Sequence, residues 1–386
     1  MFANKKKILL VVKAITLKIF AVLLFSAYTF GQSENLTRSE KIEAFKTEQK
    51  CIADASEKED WSIVEPCARK SLAILEDLLG KDHRSVALVT YEYGLALGYV
   101  ENIVESERIL KLAVKRYEAI YGNDSPELIP ILLDYAVAIN KVGDFERNSP
   151  VSVYSRAFKI FKYNQNFDQI DYADMVSNAI TEILKKNNFI YRKHTRATLR
   201  FAKEASDIYE EILGMENEKT AALNLNIGKI ELARDKTSST KSSIQYFKKA
   251  AKNEKISPFA YAFLVRAYGQ ANQNDAATEY LYKLAEIQKT ELKNSSEFFP
   301  IYVAKPDYPG NARKKGIEGY ATLRLTINET GGPIDITILE ENPLNQGFGE
   351  EAIKAANDLL YVPRVVNGKG ERVPGVIYKY TFTMPK

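Results

Sequence analysis

Leu79-Gly80-Lys81-Asp82 returns 42 residues later as Tyr121-Gly122-Asn123-Asp124, and its surroundings return with it. In that register Tyr93 falls on Tyr135, Gly94 on Ala136, Ala96 on Ala138 and Leu97 on Ile139. A later copy lies 92 residues on, where Ala113, Tyr117 and Gly122 become Ala205, Tyr209 and Gly214. Before Gly80, apolar residues recur at steps of three and four (Ile63, Val64, Cys67, Ala68, Ile74, Leu75, Leu78, Leu79), the period of one face of a helix. A helix pair of this length cannot bury its stripe alone, so the repetition predicts a stack in which each pair covers its neighbours. Small residues at Gly94, Ala96, Ala136 and Ala138 let paired helices approach closely, and the Tyr and Leu positions fill the gaps between pairs. Ser125-Pro126 and Ser257-Pro258 read as helix starts, a capping hydroxyl before a proline. The helical pattern runs from about Thr37 to Leu292, in about five or six pairs.

Beyond Asn294-Ser295-Ser296 the period changes to two. Ala321, Leu323, Leu325 and Ile327 alternate with Tyr320, Thr322, Arg324 and Thr326, which predicts a half-buried strand. Gly331-Gly332-Pro333 turns the chain into a second strand, Ile334 to Leu339. A helix is expected from Gly349 to about Leu360, a turn at Asn367-Gly368, and a last strand from Arg372 to Thr383 with Val376, Tyr378, Tyr380 and Phe382 on one face. The fold class is therefore multi-domain, an all-α solenoid over residues 32–293 followed by a small α+β domain over 299–386.

Both parts resemble known families. The repeats are similar to tetratricopeptide repeats of the longer, roughly 42-residue kind, and the stretch from Pro258 to Leu281 to the ordinary short form. That resemblance implies a concave scaffold for a protein or peptide and no chemistry. Lys305-Pro306-Asp307-Tyr308-Pro309, then Ala312, Gly316 and Gly319, resemble the opening of the TonB C-terminal domain. So do the Gly331-Gly332 turn, Phe348 and Ala352 at the helix, Tyr361-Val362-Pro363 after it, and a final strand ending in Phe382. In that family the last strand lies at a sheet edge and an extended segment of an outer-membrane transporter adds beside it, held by main-chain hydrogen bonds. Carried onto this sequence, the resemblance implies a binding edge at Val376, Ile377, Tyr378, Lys379, Tyr380, Thr381 and Phe382, helped by Lys305, Pro306, Tyr308 and Pro309. Lys305 stands where well-known members carry glutamine.

Residues 1–31 set the compartment. They hold five lysines and no acid, and removing them takes the net charge from +4 to −1, which argues against a nucleic-acid-binding face. Lys5, Lys6 and Lys7 precede an apolar core that begins with Ile19 to Phe25 and runs to about Phe30, and after Phe25 come small residues at Ser26, Ala27 and Gly31. This is the layout of a secretory signal peptide, shorter than the roughly 20 residues of a span. The segment is expected to be cleaved, giving a periplasmic, cell-envelope protein; if retained, it would be an inner-membrane anchor. Cys51 and Cys67, the two cysteines of the chain, sit on helical stretches that read as antiparallel. In an exported protein they either staple that hairpin as a disulfide or remain buried thiols.

No catalytic constellation is readable. His83 and His194 have neither an HExxH frame nor a cysteine partner. Gly347-Phe348-Gly349 lacks the strand, and has the wrong charge, for a dinucleotide site. The expectation is a non-enzymatic protein with no cofactor and no bound metal, whose partner is a protein or extended peptide; the resemblance to the TonB C-terminal domain implies the N-terminal segment of a TonB-dependent outer-membrane receptor as one such partner. Two alternatives stay open. One is an anchored energy transducer working with an ExbB/ExbD-type motor, although no histidine precedes His83 and no proline-rich spacer is present. The other is a structural module that self-associates, as a homodimer for instance.

Overall fold

The computed structural model describes residues 37–143, 149–163, 167–185, 195–234, 237–291, 300–303, 306–361, 363–366 and 369–383; the expectations for residues 1–31 and for Lys305 fall outside them. Among the described residues no helix is long and apolar enough to cross a membrane. The chain divides into two compact units between Phe167 and Asp168.

Among the described residues of the first unit six helices follow one another: α1 (Arg38–Glu57), α2 (Trp61–Leu79), α3 (Arg84–Tyr99), α4 (Ile103–Tyr121), α5 (Leu128–Val142) and α6 (Pro150–Tyr163), each packed on the next. The repeated glycines end helices. Gly80 closes α2 at φ +78° and Gly122 closes α4 at φ +88°, a left-handed backbone that costs other residues about 1–2 kcal/mol. Ser125-Pro126 forms a turn ahead of α5, with Leu128 N–H bonded to Ser125 C=O. Thr37 and Glu40 make a reciprocal capping box on α1. His83 is a cap as well: its Nδ1 accepts the Ser85 N–H at 3.1 Å and starts α3. Arg116 of α4, buried, joins Thr90 of α3 to Glu76 of α2 and so ties three helices.

Cys51 on α1 and Cys67 on α2 are joined by a disulfide, Cα to Cα 6.3 Å, beside Phe45, Ile52, Leu72 and Leu75. The bridge closes a loop of 16 residues, which by loop-closure entropy is worth about 3 kcal/mol. Reduction, or Cys51→Ser with Cys67→Ser, is expected to lower the stability of the first unit by about 2–3 kcal/mol. Urea unfolding with and without reductant measures it; coincident curves would show that the bridge constrains nothing.

The second unit continues with α7 (Gln169–Lys185), α8 (Thr195–Ile212), α9 (Glu218–Leu232), α10 (Thr237–Ala250), α11 (Ser257–Gln270) and α12 (Asn274–Glu291). Gly214 follows α8 at φ +85°, the counterpart of Gly122. Gly228 on α9 is the counterpart of Gly94 on α3, and both are close-approach sites. A Cβ on Gly94 would meet Leu110 Cδ2 at 2.8 Å, and one on Gly228 would enter the ring of Phe247. Phe247 is fully buried and stacks on Phe263, centroids 5.2 Å apart. Gly228→Ala is therefore expected to cost about 1–3 kcal/mol by overpacking, read as a lower urea midpoint of the second unit; an unchanged midpoint would mean that Phe247 can step aside. At α11, Ser257 lies inside the first turn and its hydroxyl donates back to Glu254 C=O, so it does not cap as the sequence suggested.

The unit ends in a small sheet domain. A short strand β1 (Pro300–Tyr302) and helix α13 (Gly310–Lys314) precede β2 (Gly319–Ile327) and β3 (Pro333–Asn342); α14 (Phe348–Ala356) follows, then β4 (Leu360–Tyr361), β5 (Arg364–Val366), β6 (Lys369–Glu371) and β7 (Val373–Phe382). The main sheet is antiparallel in the order β3-β2-β7, with two-stranded ladders β1–β4 and β5–β6 beside it. Leu323, Leu325, Ile327, Phe348, Ala352, Tyr361, Tyr380 and Phe382 form its core. The predicted helix from Gly349 to Leu360 stops four residues early, at Ala356, because Leu360 and Tyr361 are taken into the ladder with β1.

Candidate functional site

β7 is an edge strand: among the described residues it pairs with β2 alone. From Val376 to Phe382 it runs opposite Leu325 to Gly319 without a break in register. The irregularity lies at its start, where pairing slips by one residue between Val376 and Val373 and Gly375 takes φ +77°. This is a bulge on the N-terminal side of the regular stretch. Side chains alternate as predicted. Val376, Tyr378, Tyr380 and Phe382 pack on the core, while Ile377, Lys379 and Thr381 are exposed, Ile377 at 61%.

The backbone direction follows from the neighbouring strand. Arg324 C=O accepts the hydroxyl of Thr337 on β3 at 3.4 Å, so the peptide groups of Arg324 face β3. Arg324 stands opposite Ile377. In an antiparallel pair whose one member faces away, the other faces away too. The N–H and C=O groups of Ile377, and by alternation those of Lys379 and Thr381, therefore point to the open edge. Those of Val376, Tyr378 and Tyr380 point into the ladder with β2.

The other edge of the sheet is built differently. β3 carries two register shifts against β2, one at the bulged Leu339 and one around Asp335, whose φ is +52°. Glu340 and Glu341 follow on the same strand. Bulges and charge are the usual devices that keep an edge from pairing, so the two edges of this sheet are not equivalent.

Of the other predicted residues, Tyr308 reaches the C-terminal end of β7. Tyr308 sets its ring edge-on to Phe382 and Phe348, at 5.8 and 5.9 Å, and its hydroxyl donates to Ile317 C=O at 2.8 Å. Pro309, buried, caps α13, and Pro306 is half-buried just before. Sequence reasoning missed what anchors Lys379. Its Nζ lies 3.5 Å from the centre of the Tyr320 ring, and the Tyr320 hydroxyl donates to Glu340 at 2.6 Å. A polar chain thus crosses the outer face of all three strands. The alternation of Tyr320 with buried neighbours put it on that face, but only register could bring it beside Lys379. On the inner face, the Tyr378 and Tyr380 rings meet edge-on at 4.8 Å, and burial raises the hydroxyl pKa of Tyr378.

Among the described residues, Glu48, Cys51 and Cys67 bring metal-type donor atoms together. With the two sulfurs in a disulfide they offer no thiolate. What the edge offers is main-chain donors and acceptors in a straight row, with an aromatic side and a polar side.

Residues 304–384 match the family model of the Gram-negative bacterial TonB protein C-terminal. Protein TonB of Pseudomonas aeruginosa is 36% identical over 76 residues, which are 20% of this chain and 22% of that protein. The chain thus spans about a fifth of the length of that curated relative. The solution structure of the Pseudomonas aeruginosa TonB C-terminal domain is similar at 31% identity, covering 24% of this chain and 93% of that one, with a TM-score of 0.21. Over the helices, the TPR-like repeats of a kinesin light chain from Podosopora anserina are similar at 12% identity, covering 68% of this chain and all of that one, with a TM-score of 0.38.

Proposed function

We propose that this chain, with its TonB-type C-terminal domain at residues 304–384, is a protein-binding component of the cell envelope that accepts an extended peptide as a fourth strand on β7. The partner is the N-terminal segment of a TonB-dependent outer-membrane receptor, and the helical array serves further protein contacts. The observation that supports this most is the unbroken register of Val376 to Phe382 on an edge strand whose outward peptide groups have no strand beside them among the described residues. Three outward residues offer up to six main-chain hydrogen bonds, each worth about 0.5–1.5 kcal/mol net, enough for a specific and reversible contact. Neighbouring side chains then select: Ile377, Lys379 and Thr381 flank one face of an added strand, Tyr378 and Tyr380 the other. Residues 1–31 bring the chain to the periplasm.

Titrating the full chain with fluorescent synthetic peptides, each copied from the N-terminus of one receptor of the same cell, tests the reading. Saturable binding, together with hydrogen-exchange protection at Ile377, Lys379 and Thr381, is the expected result. Binding that protects β3 or the helices and leaves β7 unprotected would overturn it.

A further inference from the structure

The sheet domain and the last helices share a seam, and it runs through β4. Leu360 is fully buried in a cluster drawn from α9, α10, α11 and α12, with Leu264, Tyr268 and Leu284 among its members. Its neighbours in sequence, Leu359 and Tyr361, are fully buried in the core of the sheet domain. Successive residues of an extended segment point to opposite sides, so one short strand plugs two cores.

Polar and backbone contacts surround the plug. Arg266 of α11 donates to Asp358 C=O at 3.3 Å and pairs with the Asp358 carboxylate at 3.5 Å. A Cβ on Gly269 would lie 3.8 Å from Thr330 Cγ2, in the turn between β2 and β3. α12 packs on both strands of the β5–β6 hairpin. That turn is itself tied to the start of β7 through Arg372 and Glu329, 2.8 Å apart.

A stack of helix pairs needs a different unit at its end, because the last pair has an apolar side and no further pair to cover it. We propose that the sheet domain is that terminal unit: it caps α11 and α12 through Leu360, and the two form one cooperative body. The β7 edge is then carried on a fixed mount. The proposal stands apart from strand addition, since it concerns the seam alone.

Two measurements on the full chain test it. In the variant Gly269→Cys with Thr330→Cys, oxidation with diamide is expected to give the 269–330 disulfide in most molecules, identified by peptide mass mapping beside the Cys51–Cys67 pair. Leu360→Asp is expected to cut that yield at least tenfold and to speed amide exchange in α11 and α12 at least tenfold, as for a helix pair that has lost its cover. If Leu360→Asp does not fold, Leu360→Ala provides the same comparison. The proposal fails if a chain with native circular dichroism gives no 269–330 link, or if exchange in α11 and α12 is the same with and without Leu360.

Discussion

Lys379→Pro is expected to weaken capture of an extended peptide about tenfold to a hundredfold, a loss of about 1.4–2.8 kcal/mol, while leaving the sheet domain folded. Tyr378→Pro, one position away, is expected to unfold it. The difference lies in which way each peptide group points. Lys379 N–H faces the open edge, so proline there removes a donor that only an incoming strand would use, and its ring stands in that strand's path. Tyr378 N–H faces β2 opposite Leu323, and its ring packs against the core. Proline there breaks the ladder and strips an aromatic from the inner face, each a change of about 3 kcal/mol. Lys379→Val separates the charge from the backbone, because it loses the contact with Tyr320 but keeps the donor. Peptide titration of the three variants, with near-ultraviolet circular dichroism as the folding control, reads the outcome. Equal affinity of Lys379→Pro and Lys379→Val would dispose of strand addition at this edge.

That distinction was not legible in the sequence. The alternation of Val376, Tyr378, Tyr380 and Phe382 marks the core face of the last strand, and the structure agrees. But side-chain alternation says nothing about which peptide groups face a neighbour; that depends on strand order and on one cross-strand hydrogen bond, Thr337 to Arg324. Periodic features were readable for the same reason in reverse. Gly80, Gly122 and Gly214 occupy one position of the repeat because the left-handed turn after a helix recurs there. The repeat arithmetic also contained Gly228, 134 residues beyond Gly94; the signal was present, and combining the two offsets would have found it. Leu360 was read as the end of a helix because Leu359 and Leu360 continue an apolar stripe. Two buried sides look alike at the level of composition, and only tertiary pairing with β1 distinguishes a helix end from a seam strand.

The repeat also sets up the largest pH effect expected of the molecule. Glu92 and Asp134 occupy the same place in successive repeats, 42 residues apart. Both are buried, but they are not equally provided for. Asp134 accepts the Tyr91 hydroxyl at 2.5 Å, whereas among the described residues neither carboxylate oxygen of Glu92 has a hydrogen-bond partner. Loss of solvent pushes the Glu92 pKa from 4.5 up to about 8. A carboxyl whose folded pKa is raised keeps a proton that the unfolded chain gives up. Its contribution to stability is therefore greatest below about pH 4.5, declines by about 1.4 kcal/mol per pH unit through the interval, and levels off above about pH 8. Glu40, Glu105 and Glu127 have lowered values and act in the opposite sense, but they titrate in acid, so the slope above pH 5 belongs to Glu92. Glu92→Gln removes the titrating group at nearly constant volume. It is expected to flatten that slope and to make the first unit more stable than the wild-type chain at pH 8, by several kcal/mol at most. Trp61, the single tryptophan, stacks on Tyr99 in this unit with centroids 4.0 Å apart. Its fluorescence follows urea unfolding of the first unit from pH 5 to 9. A wild-type chain whose midpoint does not fall over that range, or a Glu92→Gln chain that falls in parallel with it, would mean that the carboxyl finds a partner the folded structure does not show.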